Sequence, residues 1–139
     1  MFSLAALEFD LPTLLKKERN FVVWTEIPIL DSKRAVNFYE HVLQTRLERH
    51  DMEETEEYWF PMNQFSYGSP GSLVKGENYI PSKIGSLVYL TTKNLDSALK
   101  RVLEKGGKIV KGRTSIGKDG FIAIILDTEG NKIGIHSKK

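Results

Sequence analysis

Two segments of the chain carry apolar side chains at helical spacing, and a short apolar run precedes each of them. Within residues 32–43 and 95–107 the apolar positions recur at i, i+3, i+4, i+7 and i+8, which predicts amphipathic helices that bury one face. These positions are Ala35, Phe38, Tyr39, Val42 and Leu43 in the first segment, and Leu95, Ala98, Leu99, Val102 and Leu103 in the second. The preceding runs, 21–27 and 85–92, are rich in β-branched and aromatic residues and predict strands.

The ends of both helices carry the residue types that stop and start helices. Asp31 or Ser32 can cap the first helix and Asn94 the second, because their side-chain oxygens accept hydrogen bonds from free backbone N–H groups. Gly106 or Gly107 can end the second helix in a left-handed conformation. The helices are therefore predicted as separate, locally defined units.

Three further strands are predicted after each helix. Short apolar or aromatic runs separated by turn residues lie at 46–50, 57–62 and 72–76, and again at 108–112, 121–127 and 131–137. The order strand, helix, three strands thus occurs twice. A tight turn is expected at 127–132, where Gly130 and Asn131 can adopt positive φ.

Corresponding positions of the two units lie at a nearly constant distance along the chain. Trp24 and Ser86 are 62 positions apart, Asp31 and Asn94 are 63 apart, and Leu73 and Gly134 are 61 apart. A constant offset indicates an internal repeat. The predicted fold is α+β: two βαβββ modules that form a curved mixed sheet around a cleft, with the helices outside. A ferredoxin-like or other α+β domain would not explain the repeat.

The predicted organisation is an N-terminal arm, residues 1–20, followed by one domain, residues 21–138. The domain consists of modules 21–76 and 84–138. Leucines in the arm fall near helical spacing, but Pro12 interrupts them, so two short pieces are expected.

The composition is typical of one soluble domain and bears on its expected cellular location. The 139 residues are 40% hydrophobic and 27% charged. No apolar run reaches the roughly 18 residues that a membrane-spanning helix needs, and no basic cluster precedes the mildly apolar start, which argues against a signal peptide. Without cysteine, disulfides, thiolate ligands and a Cys nucleophile are excluded. The expected location is cytoplasmic, without membrane contact.

Charge is distributed unevenly between the two halves. The net charge is +2, but residues 1–70 carry −5 and residues 71–139 carry +7. A polyanion partner is one interpretation. Attraction between the halves, within one chain or across a dimer, is the other and is favoured. The basic residues are scattered, without an aromatic stacking platform, so no nucleic-acid partner is expected.

The order of these motifs resembles the vicinal oxygen chelate superfamily, which includes glyoxalase I, bleomycin-resistance proteins and extradiol dioxygenases. TEIPILDSKRAVNFYEHVLQ resembles the opening of such domains, NLDSALKRVLEKGGKIV the second helix and its exit, and GFIAIILDTEGNKIGIHS the closing hairpin. The resemblance covers residues 21–138. It departs at Gln44, where the family usually has Gly. By resemblance, a homodimer is expected.

In metal-dependent members of that family, His, Glu or Gln ligands project into the cleft from the first and last strands of each module. The matching positions here are Trp24, Leu73 or its neighbours, Ser86 and Gly134. Indole, Leu and Gly side chains offer no donor atom for a metal. We therefore expect no metal and no other cofactor, which disfavours glyoxalase I and extradiol dioxygenase chemistry.

Strand alternation predicts a mostly apolar cleft. If Trp24, Ser86 and Gly134 face the cleft, so do the residues two positions away on each strand. Such a lining suits a small, partly apolar ligand. The expected ligand-binding residues are Trp24, Tyr58, Phe60, Ser86, Val88 and Gly134.

Glu26 and His136 are the candidates for proton chemistry. Each lies two residues beyond a lost ligand position, on the first and last strands, so the pair could act as acid and base. Alternatively, Glu26 pairs with a basic residue or a backbone N–H, and His136 is a solvated terminal side chain.

Three functions follow from this sequence. The first is metal-free binding of a small ligand, as in bleomycin-resistance proteins. The second is a glyoxalase-related lyase or isomerase that uses Glu26 and His136. The third is an interaction module whose cleft is filled by its own side chains, Trp24 among them.

Overall fold

The computed structural model describes residues 20–139, and the elements it contains follow the predicted order. The predicted arm, residues 1–20, lies outside the described residues except for its last position. The elements are β1 Thr25–Pro28, α1 Ser32–Leu43, β2 Glu48–Asp51, β3 Thr55–Trp59, β4 Gly71–Gly76, β5 Val88–Thr91, α2 Leu95–Glu104, β6 Lys108–Ser115, β7 Phe121–Leu126 and β8 Lys132–Ser137.

Each module forms its own four-stranded mixed sheet. The strand orders are β1-β4-β3-β2 and β5-β8-β7-β6, with β1 parallel to β4 and β5 parallel to β8. The prediction of an α+β fold from two βαβββ modules is confirmed. Within residues 20–139 no strand pairing joins the two sheets, so the expected curved surface consists of two sheets rather than one.

The helix ends are set by local chemistry. The Asp31 side chain accepts a hydrogen bond from the Arg34 N–H at 2.9 Å, and Asn94 accepts one from the Ser97 N–H at 2.9 Å. Gly106 takes the left-handed φ of 92° expected after α2. After α1 the same conformation falls on Gln44, with φ 56°.

One hydrophobic core serves both modules. The buried faces of α1 and α2 pack against each other and against the inner face of both sheets. Burial of these side chains supplies most of the favourable free energy of folding. The fully or nearly fully buried members are Ile27, Ile29, Ala35, Phe38, Tyr39, Val42, Tyr58, Leu73, Leu95, Ala98, Leu99, Val102, Ala123, Ile125, Ile133 and Ile135.

The turn between β7 and β8 in the second module is hydrogen-bonded to the start of α1 in the first module. Glu129 accepts hydrogen bonds from the backbone N–H groups of Leu30 and Asp31, each at 2.8 Å, and from Arg34 Nε at 2.7 Å. Its side chain is fully buried. Burial alone would raise the pKa of Glu129, but bonds from Arg34, Asp31, Leu30 and Thr128 lower it to about 2. We call this arrangement the Glu129 clamp.

A second polar contact lies beside the clamp. The Tyr39 hydroxyl donates to Asp127 at 2.5 Å, and Asn131 Nδ2 donates to the Pro28 carbonyl at 2.8 Å. Asp127 also accepts the backbone N–H groups of Glu129 and Asn131, at 2.8 Å each. The Asp-x-x-Gly-Asn turn therefore joins the modules as well as the two strands on either side of it.

Candidate functional site

The two faces of the first sheet differ in character. Ile27, Tyr58 and Leu73 lie across from one another in register and point into the shared core. The other side of that sheet, which we call the open face, carries aromatic and acidic side chains. Alternation and register place Trp24, Glu26, Glu48, His50, Glu57, Trp59 and Ser72 on it.

Leu73 is the corresponding family position on β4, and it contributes to the core rather than to the open face. It is fully buried beside Ile27, while its neighbour Ser72 lies opposite Glu26 and Trp59. Sequence spacing alone could not decide between these two neighbours, because the register of β4 against β1 determines which of them faces the core.

A groove of about 670 Å³ runs along the seam between β1 and β5, the neighbouring edge strands of the two sheets. Four of the six expected ligand-binding residues line it, and Glu26 is also there. Its size falls within the usual range for small-molecule sites. The four are Trp24, Phe60, Ser86 and Val88.

The other two expected residues lie elsewhere. The Tyr58 ring is part of the core, and its hydroxyl donates to Glu56 at 3.0 Å. Gly134 is buried, and a Cβ built on it would lie 2.4 Å from the ring of Tyr89. Tyr89 and Gly134 are register partners on β5 and β8, so they lie on the same face of the second sheet. The Val88 side chain lies on the opposite face of that sheet. Val88 and Gly134 therefore lie on opposite faces, because the register differs by one residue from an arrangement that would place them together.

Glu26 and His136 have separate surroundings. Glu26 lies close enough to the Tyr79 hydroxyl for its negative charge to raise the pKa of Tyr79. His136 lies on β8 of the second sheet, where its Nε2 is 2.7 Å from the Asp119 carbonyl oxygen, and it is absent from the groove lining. Within one chain, therefore, Glu26 and His136 do not lie in a common site.

A row of aromatic rings crosses the open face. The sequence analysis did not predict that these rings lie together. The rings of Trp24 and Trp59 meet edge to face with centroids 5.3 Å apart, and His50 stacks on Trp59 at 3.7 Å. Trp59 Nε1 donates to Glu57 at 3.0 Å. Alternation within EETEEYW, which puts Glu57 and Trp59 on one face, was the available signal.

Charge and unmet hydrogen-bonding capacity concentrate on this face. The negative charge of Glu26, its polar contact with the Tyr79 hydroxyl, burial and the nearby charge of Glu57 all raise the pKa of Tyr79. Within the described part of the chain, the buried Ser72 Oγ has no hydrogen-bond partner, and the buried His50 Nε2 has only a long contact of 3.4 Å with Glu48 Oε1. Unpaired buried polar atoms are uncommon and often mark a site that another molecule completes.

The residues at the family's metal positions do not fit a metal ion. Trp24 offers no lone pair, and Leu73 points into the core while its neighbour Ser72 offers only a hydroxyl. Tyr89 covers Gly134. Within residues 20–139 there is no cluster of three or more His, Cys, Asp or Glu side chains that could hold a metal. In the same range, no helix is long and apolar enough to span a membrane.

Comparison with solved structures shows the same fold. The chain superposes on a glyoxalase/bleomycin resistance protein/dioxygenase domain from Frankia sp. EAN1pec with a TM-score of 0.66 at 12% identity, covering 88% of this chain and 100% of that one. A fosfomycin resistance protein, FosX, from Listeria monocytogenes gives 0.60 at 11% identity, with 88% and 93% covered.

Glyoxalase I from Zea mays gives a TM-score of 0.60 at 16% identity, covering 83% of this chain and 45% of the maize chain. This protein thus spans about half the length of that enzyme. No curated protein matched the sequence.

A family-level match agrees with the structural one. The model for the Glyoxalase/Bleomycin resistance protein/Dioxygenase superfamily matches residues 22–135, which is most of the chain. The repeat, the two βαβββ modules and the closing turn are the features that this match covers. The chain belongs to the glyoxalase/bleomycin resistance protein/dioxygenase superfamily.

Proposed function

We propose that this protein binds a small, partly apolar molecule in the groove between β1 and β5, without a metal ion. The groove itself carries the proposal: it combines two aromatic walls, Trp24 and Phe60, with a few polar groups, Glu26 and Ser86. Apolar surface with sparse polar groups is the usual composition of a small-molecule site.

The metal-free part of the proposal rests on donor chemistry. Glyoxalase-type and dioxygenase-type reactions need an ion held by several converging N or O ligands. The family positions here carry an indole, a leucine, a serine and a glycine. We therefore expect purified protein to contain no stoichiometric Zn²⁺, Ni²⁺, Mn²⁺ or Fe²⁺ by elemental analysis, and to gain no thermal stability from these ions. One equivalent of bound metal would overturn this part.

Binding is tested by filling the groove. Ser86 is exposed at its wall, so Ser86→Tyr should occupy the space without disturbing the core. We expect small aromatic compounds to raise the melting temperature of the wild type and to lose that effect in Ser86→Tyr. Ser97→Tyr, at an exposed position of α2, is the matched control and should behave like the wild type.

The same experiment separates the remaining functions. If no compound stabilises the wild type, the hypothesis of an interaction module is favoured over that of a small-molecule binding protein. Turnover that Glu26→Gln abolishes would instead support the lyase or isomerase. That alternative is not favoured here, because Glu26 contacts Tyr79 while His136 contacts Asp119.

A further inference from the structure

We infer that the ligand carries an organic cation, an ammonium or guanidinium group, which binds on the open face of the first sheet. This inference rests on the proposed function, because Trp24 and Glu26 belong both to the groove and to the open face. It names the chemical class of the ligand from the charges and rings beside the groove.

The open face carries three carboxylates and one basic side chain, His50, whose Nε2 lies 3.4 Å from Glu48 Oε1. Glu26, Glu48 and Glu57 all lie on this side of the sheet. The basic residues of the same strands, Arg49 and Lys75, alternate to the core side, where Arg49 pairs with Asp51 at 2.9 Å. Within strands β1–β4, therefore, no Lys or Arg neutralises the three carboxylates.

Two of these carboxylates lie near the neutral Tyr79 hydroxyl. The charges of Glu26 and, to a smaller extent, Glu57 raise the pKa of Tyr79. Glu57 is nearly buried, with 9% of its surface exposed, and it accepts only neutral donors, Trp59 Nε1 at 3.0 Å and Thr55 Oγ1 at 3.2 Å. A desolvated carboxylate gains most from a positive partner, and no Lys or Arg of strands β1–β4 supplies one to Glu57.

Aromatic rings stand beside these carboxylates. The rings of Trp24 and Trp59 are inclined at 76° to each other, and His50 stacks on one face of Trp59, so a group beside the acids would contact the remaining indole surface. The face of an indole attracts cations more strongly than that of any other side-chain ring. Aromatic rings combined with carboxylates favour an ammonium or guanidinium over a neutral or anionic group.

Ser72 gives independent support for a ligand. Its hydroxyl oxygen is fully buried, has no hydrogen-bond partner, and lies between Glu26 and Trp59 in register. It can accept a hydrogen bond from an incoming N–H group. A bare metal ion would not fit, because no three potential ligands in residues 20–139 are arranged to hold one. The cation is therefore organic.

The test uses three small probes of similar size and different charge. These are benzyltrimethylammonium, benzyl alcohol and benzoate, titrated by calorimetry into the full-length protein. Trp24 and Trp59 are the only tryptophans in the chain, so the intrinsic fluorescence reports on this face. We expect the cation to bind about tenfold more tightly than benzyl alcohol, and benzoate to bind least.

Variants localise the effect. Glu26 is exposed, so Glu26→Gln should fold normally and weaken binding of the cation about fivefold more than binding of benzyl alcohol. Glu57→Gln should act in the same direction. Glu54→Gln removes the same charge from the exposed β2–β3 turn and should change neither affinity.

The outcomes separate this inference from the proposed function. If benzyl alcohol binds as tightly as the cation, or benzoate binds more tightly, the ligand class is wrong and the groove still binds small molecules. If the cation binds equally well to wild type and Glu26→Gln, the open face is not its site. If none of the three probes binds, both the inference and the proposed function fail.

Discussion

Gln44 is the only non-glycine residue with positive φ within residues 20–139. Its left-handed backbone, φ 56° and ψ 53°, ends α1 at the position where related chains usually have Gly. A side chain with a Cβ atom pays a steric cost in this region, which Gly avoids. Gln44 recovers part of the cost through a 2.7 Å bond from its Nε2 to the His41 carbonyl oxygen.

We expect Gln44→Gly to stabilise the fold by about 0.5–1 kcal/mol, because relief of backbone strain exceeds the loss of one exposed hydrogen bond. Urea denaturation measures this change. Gln44→Ala keeps the strain and removes the bond, so it should be less stable than the wild type. If the Gly and Ala variants were equally unstable, backbone strain would not be the cause.

At this scale, prediction from sequence works where the decisive partner is a few residues away. Asp31 and Asn94 were predicted as caps because each bonds an N–H three residues later. Tyr58 and Gly134 do not line the groove. The sheet face that each occupies depends on strand pairing with β4 or β5, and the local sequence pattern does not determine that pairing.

Among the elements, the closing turn between β7 and β8 makes the stability of the fold depend on pH. The pKa of Glu129 falls from 4.5 in the unfolded chain to about 2 in the fold. The clamp should therefore contribute fully above about pH 4.5 and be lost as the pH falls towards 2, a difference of about 3 kcal/mol. The free energy of unfolding of the wild type should fall steeply across this interval.

Glu129→Gln should be less stable than the wild type at pH 7 and should show a shallower loss between pH 4.5 and 2, measured by denaturation at each pH. Glu53→Gln, an exposed acid, is the charge-matched control and should follow the wild-type curve. Parallel curves for Glu129→Gln and the wild type would show that Glu129 does not carry the acid dependence.

The order of the elements was predictable because periodicity and turn residues are local signals. The clamp was not, because Glu129 meets its partners about 95 positions earlier in the chain, and only the packed fold brings them together.

For the whole molecule, a homodimer remains our expectation. Large apolar side chains are strongly exposed at the entry to the domain and in the β3–β4 loop: Phe21 by 97%, Phe65 by 89% and Tyr67 by 99%. Grouped exposed apolar surface commonly marks an interface. Sedimentation velocity at tens of micromolar should give the mass of two chains.

The double variant Phe65→Ser, Tyr67→Ser should shift this equilibrium towards the monomer if the loop forms the contact. Ile84→Ser removes an equally exposed apolar side chain outside the loop and serves as the control. A wild-type monomer at these concentrations would contradict the dimer.

The duplicated architecture was predictable because the repeat recurs at a constant offset. The separation into two sheets was not predictable from the sequence. It depends on whether the edge strands β1 and β5 pair with each other, and their sequences resemble those of paired strands.

Gly134 and Tyr89 have a consequence for how this site can change over generations. The ring of Tyr89 occupies the space that a side chain at position 134 would need. A single replacement that restored a carboxylate there would collide with that ring, and loss of the ring alone would leave bare backbone where a ligand-bearing side chain would have to stand. The two positions are therefore epistatic: a larger residue at position 134 requires a smaller residue, or a rotated ring, at position 89.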